Sequence, residues 1–129
     1  MYKVFLIALG GGGGTLLRYF VGEWMQRWGN ESFPWGTLTV NVLGCFAIGI
    51  LNVALVGPFF VREEYRLALL VGVLGGFTTF SSFGWETLTL LNGDQWGYGI
   101  ANFTLNNVLG LMAAWAGYRL AEYWLGTIN

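Results

Sequence analysis

The chain has 129 residues, 55% hydrophobic, 18% aromatic and only 10% charged, with a mean hydropathy of +0.56. A soluble domain carries about 25% charged residues. Six Lys/Arg against seven Asp/Glu leave a net charge of −1, which offers nucleic acid no basic face. With no histidine and one cysteine, the sequence excludes zinc sites, Ser-His triads, histidine proton relays and an intrachain disulfide.

Taken in order, the residues predict an all-α integral membrane protein, a single domain over 1–129 with four transmembrane helices. The first is expected over about 4–21. Lys3 precedes it and no small-residue cleavage site follows, so it reads as a retained helix rather than a signal peptide. Gly10, Gly14 and Arg18 share one face at four-residue spacing. The second is expected over about 35–60, with Pro34 at its start and Gly57-Pro58 near its end. Cys45 falls inside it as a small packing residue.

The third is expected over about 67–91, long enough to cross the roughly 20 residues of hydrocarbon. Its middle, Gly75-Gly76-Phe77-Thr78-Thr79-Phe80-Ser81-Ser82-Phe83-Gly84, is a poor helix former and predicts a break near the centre. Lipid cannot satisfy broken backbone, so such a break belongs where it is buried in protein or lines a polar path. The fourth is expected over about 97–125, with a polar stripe of Asn102, Asn106 and Asn107; Asn102 is expected near the helix end, in the interface. Trp24, Trp28, Trp35, Trp96 and Trp124 fall near segment ends, as interfacial aromatics do. Lys3, Arg62, Arg66 and Arg119 lie on the side of the termini and only Arg27 on the other, which favours both termini in the cytoplasm. The 21 glycines predict close helix packing and an oligomer, in the first place a dimer.

Polar groups inside the membrane each need a reason. Asn41 reads as an anion ligand or as an interhelical hydrogen bond. Phe80 and Phe83 read as core packing or as ring edges, positive in their quadrupole, facing an anion path. Arg18 snorkels or holds freed carbonyls. Glu86 reads as a proton carrier, an anion-vestibule residue or a cap on polar neighbours. Hydroxyls at the break donate to anions, while its freed carbonyls suit Na⁺ or K⁺.

Put together, these motifs resemble the CrcB/Fluc family of bacterial fluoride channels. The resemblance runs from about Gly10 to Tyr118. It is carried by Gly10-Gly11, Gly14 and Arg18-Tyr19, then by Gly36-Thr37-Leu38, Asn41, Gly44 and Gly49. The Gly75 to Phe83 signature follows, with Glu86 at the family spacing. It implies a passive fluoride channel of the bacterial inner membrane that relieves fluoride toxicity. Two four-helix subunits would form an antiparallel dual-topology dimer with two pores. Phe80 and Phe83 would carry fluoride along their ring edges, Asn41 would donate to it, and Thr37, Ser81 and Asn107 would extend the polar path. Arg18 and Glu86 would be structural or vestibule residues. Carbonyls of Gly75 and Thr78 from both subunits would hold a structural Na⁺. Leu111 and Phe103 depart from the family's polar track. The implied partner is a second copy of this chain or a homologous subunit. The alternative is a small four-helix proton-coupled multidrug or guanidinium exporter, for which Glu86 is the one suitable acid. An intramembrane enzyme finds no catalytic constellation here.

Overall fold

The computed structural model describes residues 1–126, and all regular structure among them is helical. Helix α1 runs Tyr2–Trp28, past both predicted bounds of 4–21. No glycine or proline capable of ending it occurs between Val21 and Trp28 other than Gly22, and a single glycine costs a helix only about 1 kcal/mol. Gln26 closes the turn that follows. Its Nε2 donates to the carbonyls of Asn30 (3.1 Å) and Phe33 (2.9 Å), and its Oε1 accepts the Gly36 N–H (3.1 Å).

Helix α2 runs Trp35–Val56. It stops four residues short of the predicted bound at Phe60, because Gly57-Pro58 ends it: proline removes a donor and disfavours helix in the residue before it. Helix α3, Glu63–Leu67, starts earlier than the predicted residue 67. Glu63 and Glu64 sit in its first turn, where carboxylates suit the positive end of the helix dipole. A π-helical segment, Ala68–Leu74, and a single turn, α4 (Gly75–Phe77), continue the rod. Thr78 (φ −83°, ψ 159°) and Thr79 (φ −149°, ψ 117°) are then extended, and α5 resumes over Phe80–Asn92. Asp94, at φ 57°, supplies the left-handed residue of the next turn. Helix α6 runs Trp96–Leu125 and ends on Gly126, also left-handed at φ 65°.

The packing relies on small residues. Along α2 and α6, the most extensively packed pair, a Cβ on Gly49 would strike the Ala114 carbonyl and one on Gly117 the Phe46 carbonyl. Gly14 does the same for α1, where a Cβ would run into the Val73 backbone. The apolar core is thin: Phe33, Leu38, Val40, Leu74, Phe77 and Phe83 are its larger members. Large apolar side chains such as Phe20, Trp85, Leu111 and Trp115 lie outside. A surface so apolar belongs in lipid or against another subunit, and three stretches are long and apolar enough to cross a membrane: Tyr2–Trp28, Trp35–Val56 and Glu63–Asn92, the last counted across Thr78 and Thr79. The chain is an all-α membrane protein. Helix α6 has the length, about 45 Å for its 30 residues, but its inner face carries Asn102 and Asn106.

Candidate functional site

The site is organised around the two extended residues. A continuous helix would bond the Thr79 N–H to the Gly75 carbonyl. Here that N–H turns to Asn41 Oδ1 at 2.8 Å, and Asn41 Nδ2 donates back to the Thr79 carbonyl at 3.0 Å. One side-chain amide thus satisfies both backbone groups of Thr79, which is 7% exposed. The second Asn41 amide hydrogen goes to Asn106 Oδ1 at 2.9 Å. Both amide hydrogens of Asn41, which read in the sequence as an anion ligand or as an interhelical hydrogen bond, are therefore held by protein acceptors, and Asn41 braces the backbone in the geometry seen here. Thr79 also caps α5, its Oγ1 accepting the Ser82 N–H at 3.1 Å.

Freed backbone acceptors cluster beside it. The Gly75 carbonyl has lost Thr79 as its helical donor, and Gly75 is exposed with open space at its Cα. The Thr78 carbonyl accepts from Arg18 Nη1 at 3.2 Å. Of the two readings of Arg18, this geometry is the one that holds a freed carbonyl. Uncharged carbonyl oxygens of this kind suit a hard cation.

The candidate residues fall into two groups. Asn41, Gly75, Thr78, Phe80, Phe83 and Asn107 line one open groove of about 320 Å³. Phe83 is 6% exposed and Phe80 80%. Their rings meet edge to face at 5.3 Å, and Phe83 stacks on Phe103 at 6.4 Å. Asn107 is exposed and its Nδ2 donates to the Phe103 carbonyl at 2.7 Å. Arg18, Thr37 and Glu86 line a second, more polar cleft of about 340 Å³ with Ser82. There the Thr37 hydroxyl donates to Glu86 Oε1 at 2.6 Å, while Glu86 Oε2 is buried without a partner among the described residues. Ser81 is exposed and lines neither space; its Oγ lies 3.4 Å from Thr79 Oγ1. Thr79 belongs to the walls of both.

Sequence reasoning did not single out Thr79, although a hydroxyl residue just ahead of a resumed helix is a capping signal. Asn102 is buried within the protein at 0% exposure, one turn from Asn106, whose Nδ2 donates to it.

Comparison with known proteins places this geometry in context. Residues 5–118 match the family described as CrcB-like protein, Camphor Resistance (CrcB). A Thermus thermophilus protein named fluoride-specific ion channel FluC is 48% identical over 125 residues, covering 96% of this chain and 97% of its own. Proteins of the same name from Solibacter usitatus (46% over 120 residues, 93% and 98% covered) and Desulforapulum autotrophicum (45% over 121 residues, 94% and 97% covered) are similar along nearly the whole length.

Proposed function

This chain belongs to the CrcB family, and from that premise we propose that it is a passive, fluoride-selective ion channel that lets toxic fluoride leave the cytoplasm across the bacterial inner membrane. The observation that carries the reading is the pair of extended residues, Thr78 and Thr79, braced by Asn41 beside Phe80 and Phe83. It occurs in a chain whose relatives at 45–48% identity are named fluoride-specific channels. The activity is transport rather than catalysis. The exporter alternative is not favoured, since those relatives are named as fluoride-specific ion channels.

Fluoride is small and strongly hydrated, so a pore must replace its water with several weak donors in a narrow path. In this reading α6 is the fourth span. The ion crosses between the polar cleft (Arg18, Thr37, Ser82, Glu86) and the aromatic groove at Thr79. The ring edges of Phe80 and Phe83 present partial positive charge without a bound cation's tight grip. Asn41 contributes first as the brace of the extended backbone, and donates to the ion only by exchanging an acceptor it already has. Asn107 extends the path along the groove, and Ser81 joins it only through the Thr79 hydroxyl, 3.4 Å from its Oγ.

A second, inverted copy of the chain would cover the apolar groove, which supports an antiparallel homodimer with two pores. Phe80 and Gly75, both exposed in the single chain, lie on that groove. A structural Na⁺ fits the same face. The carbonyls of Gly75 and Thr78 would hold it, and its chemistry would be to neutralise converging carbonyl dipoles of two subunits.

Fluoride efflux from liposomes holding only the purified chain, read with a fluoride electrode and a matched chloride control, tests the function. Rapid fluoride release without chloride release and without an imposed proton gradient is expected. Flux that needs a proton gradient would transfer the chain to the exporter class.

A further inference from the structure

The Asn41 brace does not end at Asn106. Thr79 offers Asn41 both a donor and an acceptor, which fixes the way the Asn41 amide faces. Its remaining hydrogen must then find an acceptor, and Asn106 Oδ1 is at 2.9 Å. With that oxygen accepting, Asn106 Nδ2 donates onward to Asn102, to Oδ1 at 2.8 Å and to the carbonyl at 3.0 Å. Asn102 Nδ2 donates to Thr87 Oγ1 at 2.9 Å, and the Thr87 hydroxyl passes its own hydrogen to the Phe83 carbonyl at 2.8 Å. Every donor points the same way. The chain leaves α5 at its cap, crosses α2 and α6, and returns to α5 one turn further on.

We propose that Asn106, Asn102 and Thr87 are positioning residues that set the first turn of α5, and with it the Phe83 ring, relative to the extended residues at Thr78 and Thr79. Asn106 also lines the groove, while Asn102 and Thr87 do not; the chain reaches Phe83 through its backbone, at the carbonyl that Thr87 bonds. Three features support the assignment. The polarity of the chain is dictated at one end by Thr79, so no amide can rotate without breaking two bonds. Asn102 is 0% exposed and has no route to water that would compensate a lost partner. Aligned bonds in a dry interior polarise one another. The Phe83 ring itself meets the rings of Phe80 and Phe103. The effect on flux rests on the channel reading above; the bonding chain does not.

Thr87→Val tests it, since valine keeps the shape and removes the hydroxyl, and Thr87→Ser restores the hydroxyl. Two readouts separate the claims. In detergent-solubilised protein, hydrogen exchange at the Thr79 amide is expected to quicken about tenfold in Thr87→Val and to return to near the wild-type rate in Thr87→Ser. In liposomes, fluoride efflux is expected to fall about fivefold or more in Thr87→Val and to recover in Thr87→Ser. Unchanged exchange at Thr79 overturns the positioning chain whatever the flux does. Equal effects of valine and serine also overturn it, by assigning the role to packing. Faster exchange in a protein whose wild type carries no fluoride leaves the chain standing and removes the channel reading instead.

Discussion

Phe80 and Phe83 are three residues apart and stand in opposite surroundings. Phe83 is 6% exposed and stacked on Phe103, whereas Phe80 is 80% exposed and meets the Phe83 ring edge to face. A substitution at each therefore separates conduction from folding. Phe80→Ile removes an outward ring and leaves the single-chain core as it is, so the thermal midpoint in detergent should stay within a degree or two. Phe83→Ile removes a buried ring and should cost about 1 kcal/mol. Both should slow fluoride efflux roughly tenfold or more, a rate change equivalent to about 1.4 kcal/mol. The decisive comparison is Phe80→Ile with its size-exclusion profile, because lost flux from a dimer that still assembles has no stability loss to explain it. Normal flux in both variants, with assembly intact, would remove the aromatic path from the mechanism.

At the scale of the element, the α1 glycines divide by what they face. A Cβ on Gly14 would meet Val73 backbone, which cannot rotate away as a side chain would, and Gly10 similarly faces the Ala68 carbonyl. Gly12 and Gly13 face open space. Gly14→Val should force α1 off the π segment and destabilise by about 1–3 kcal/mol. Gly13→Ala should be neutral or raise stability by up to about 1 kcal/mol through helix propensity. Thermal unfolding with size-exclusion profiles measures both. A loss in Gly13→Ala as large as in Gly14→Val would mean that the outer face of α1 is itself covered in the assembly. The same contrast explains what the sequence could and could not disclose. The extended pair lies within the stretch whose glycines and β-branched hydroxyls made it a poor helix, and Gly57-Pro58 marked the end of α2 more closely than the bound drawn at Phe60. These are local effects of propensity and a missing donor. The partner of Asn41, the buried place of Asn102 and the capping by Thr79 depend on which helices meet across three turns, and local pattern carries no register between helices. Glu86 is a further case: its spacing was visible, but only the fold brings the Thr37 hydroxyl to it.

For the whole molecule, orientation follows from where its few cations lie. Lys3, Arg62, Arg66 and Arg119 are on the side of the termini, and Arg27 is near the opposite end. Three of the first group are paired in the fold: Lys3 with Glu63, Arg62 with Glu64 at 2.8 Å, and Arg119 with Glu122 at 2.9 Å. Exposed pairs of this kind contribute little to stability. Nor do they cancel the topological signal, because insertion responds to Lys and Arg counts rather than to net charge. An antiparallel homodimer needs both orientations, so the bias must be small enough for insertion to be mixed. Reporters fused in turn to the carboxyl terminus, one active in the cytoplasm and one in the periplasm, should both give signal. Replacing Arg27 with Gln removes the one opposing cation and should shift the ratio toward cytoplasmic termini. Replacing Arg62 and Arg66 with Gln should move it toward even insertion, with more dimer recovered if orientation limits assembly. A wild-type signal from the cytoplasmic reporter alone, unmoved by either change, would mean that this chain inserts one way and pairs with a different, oppositely oriented subunit.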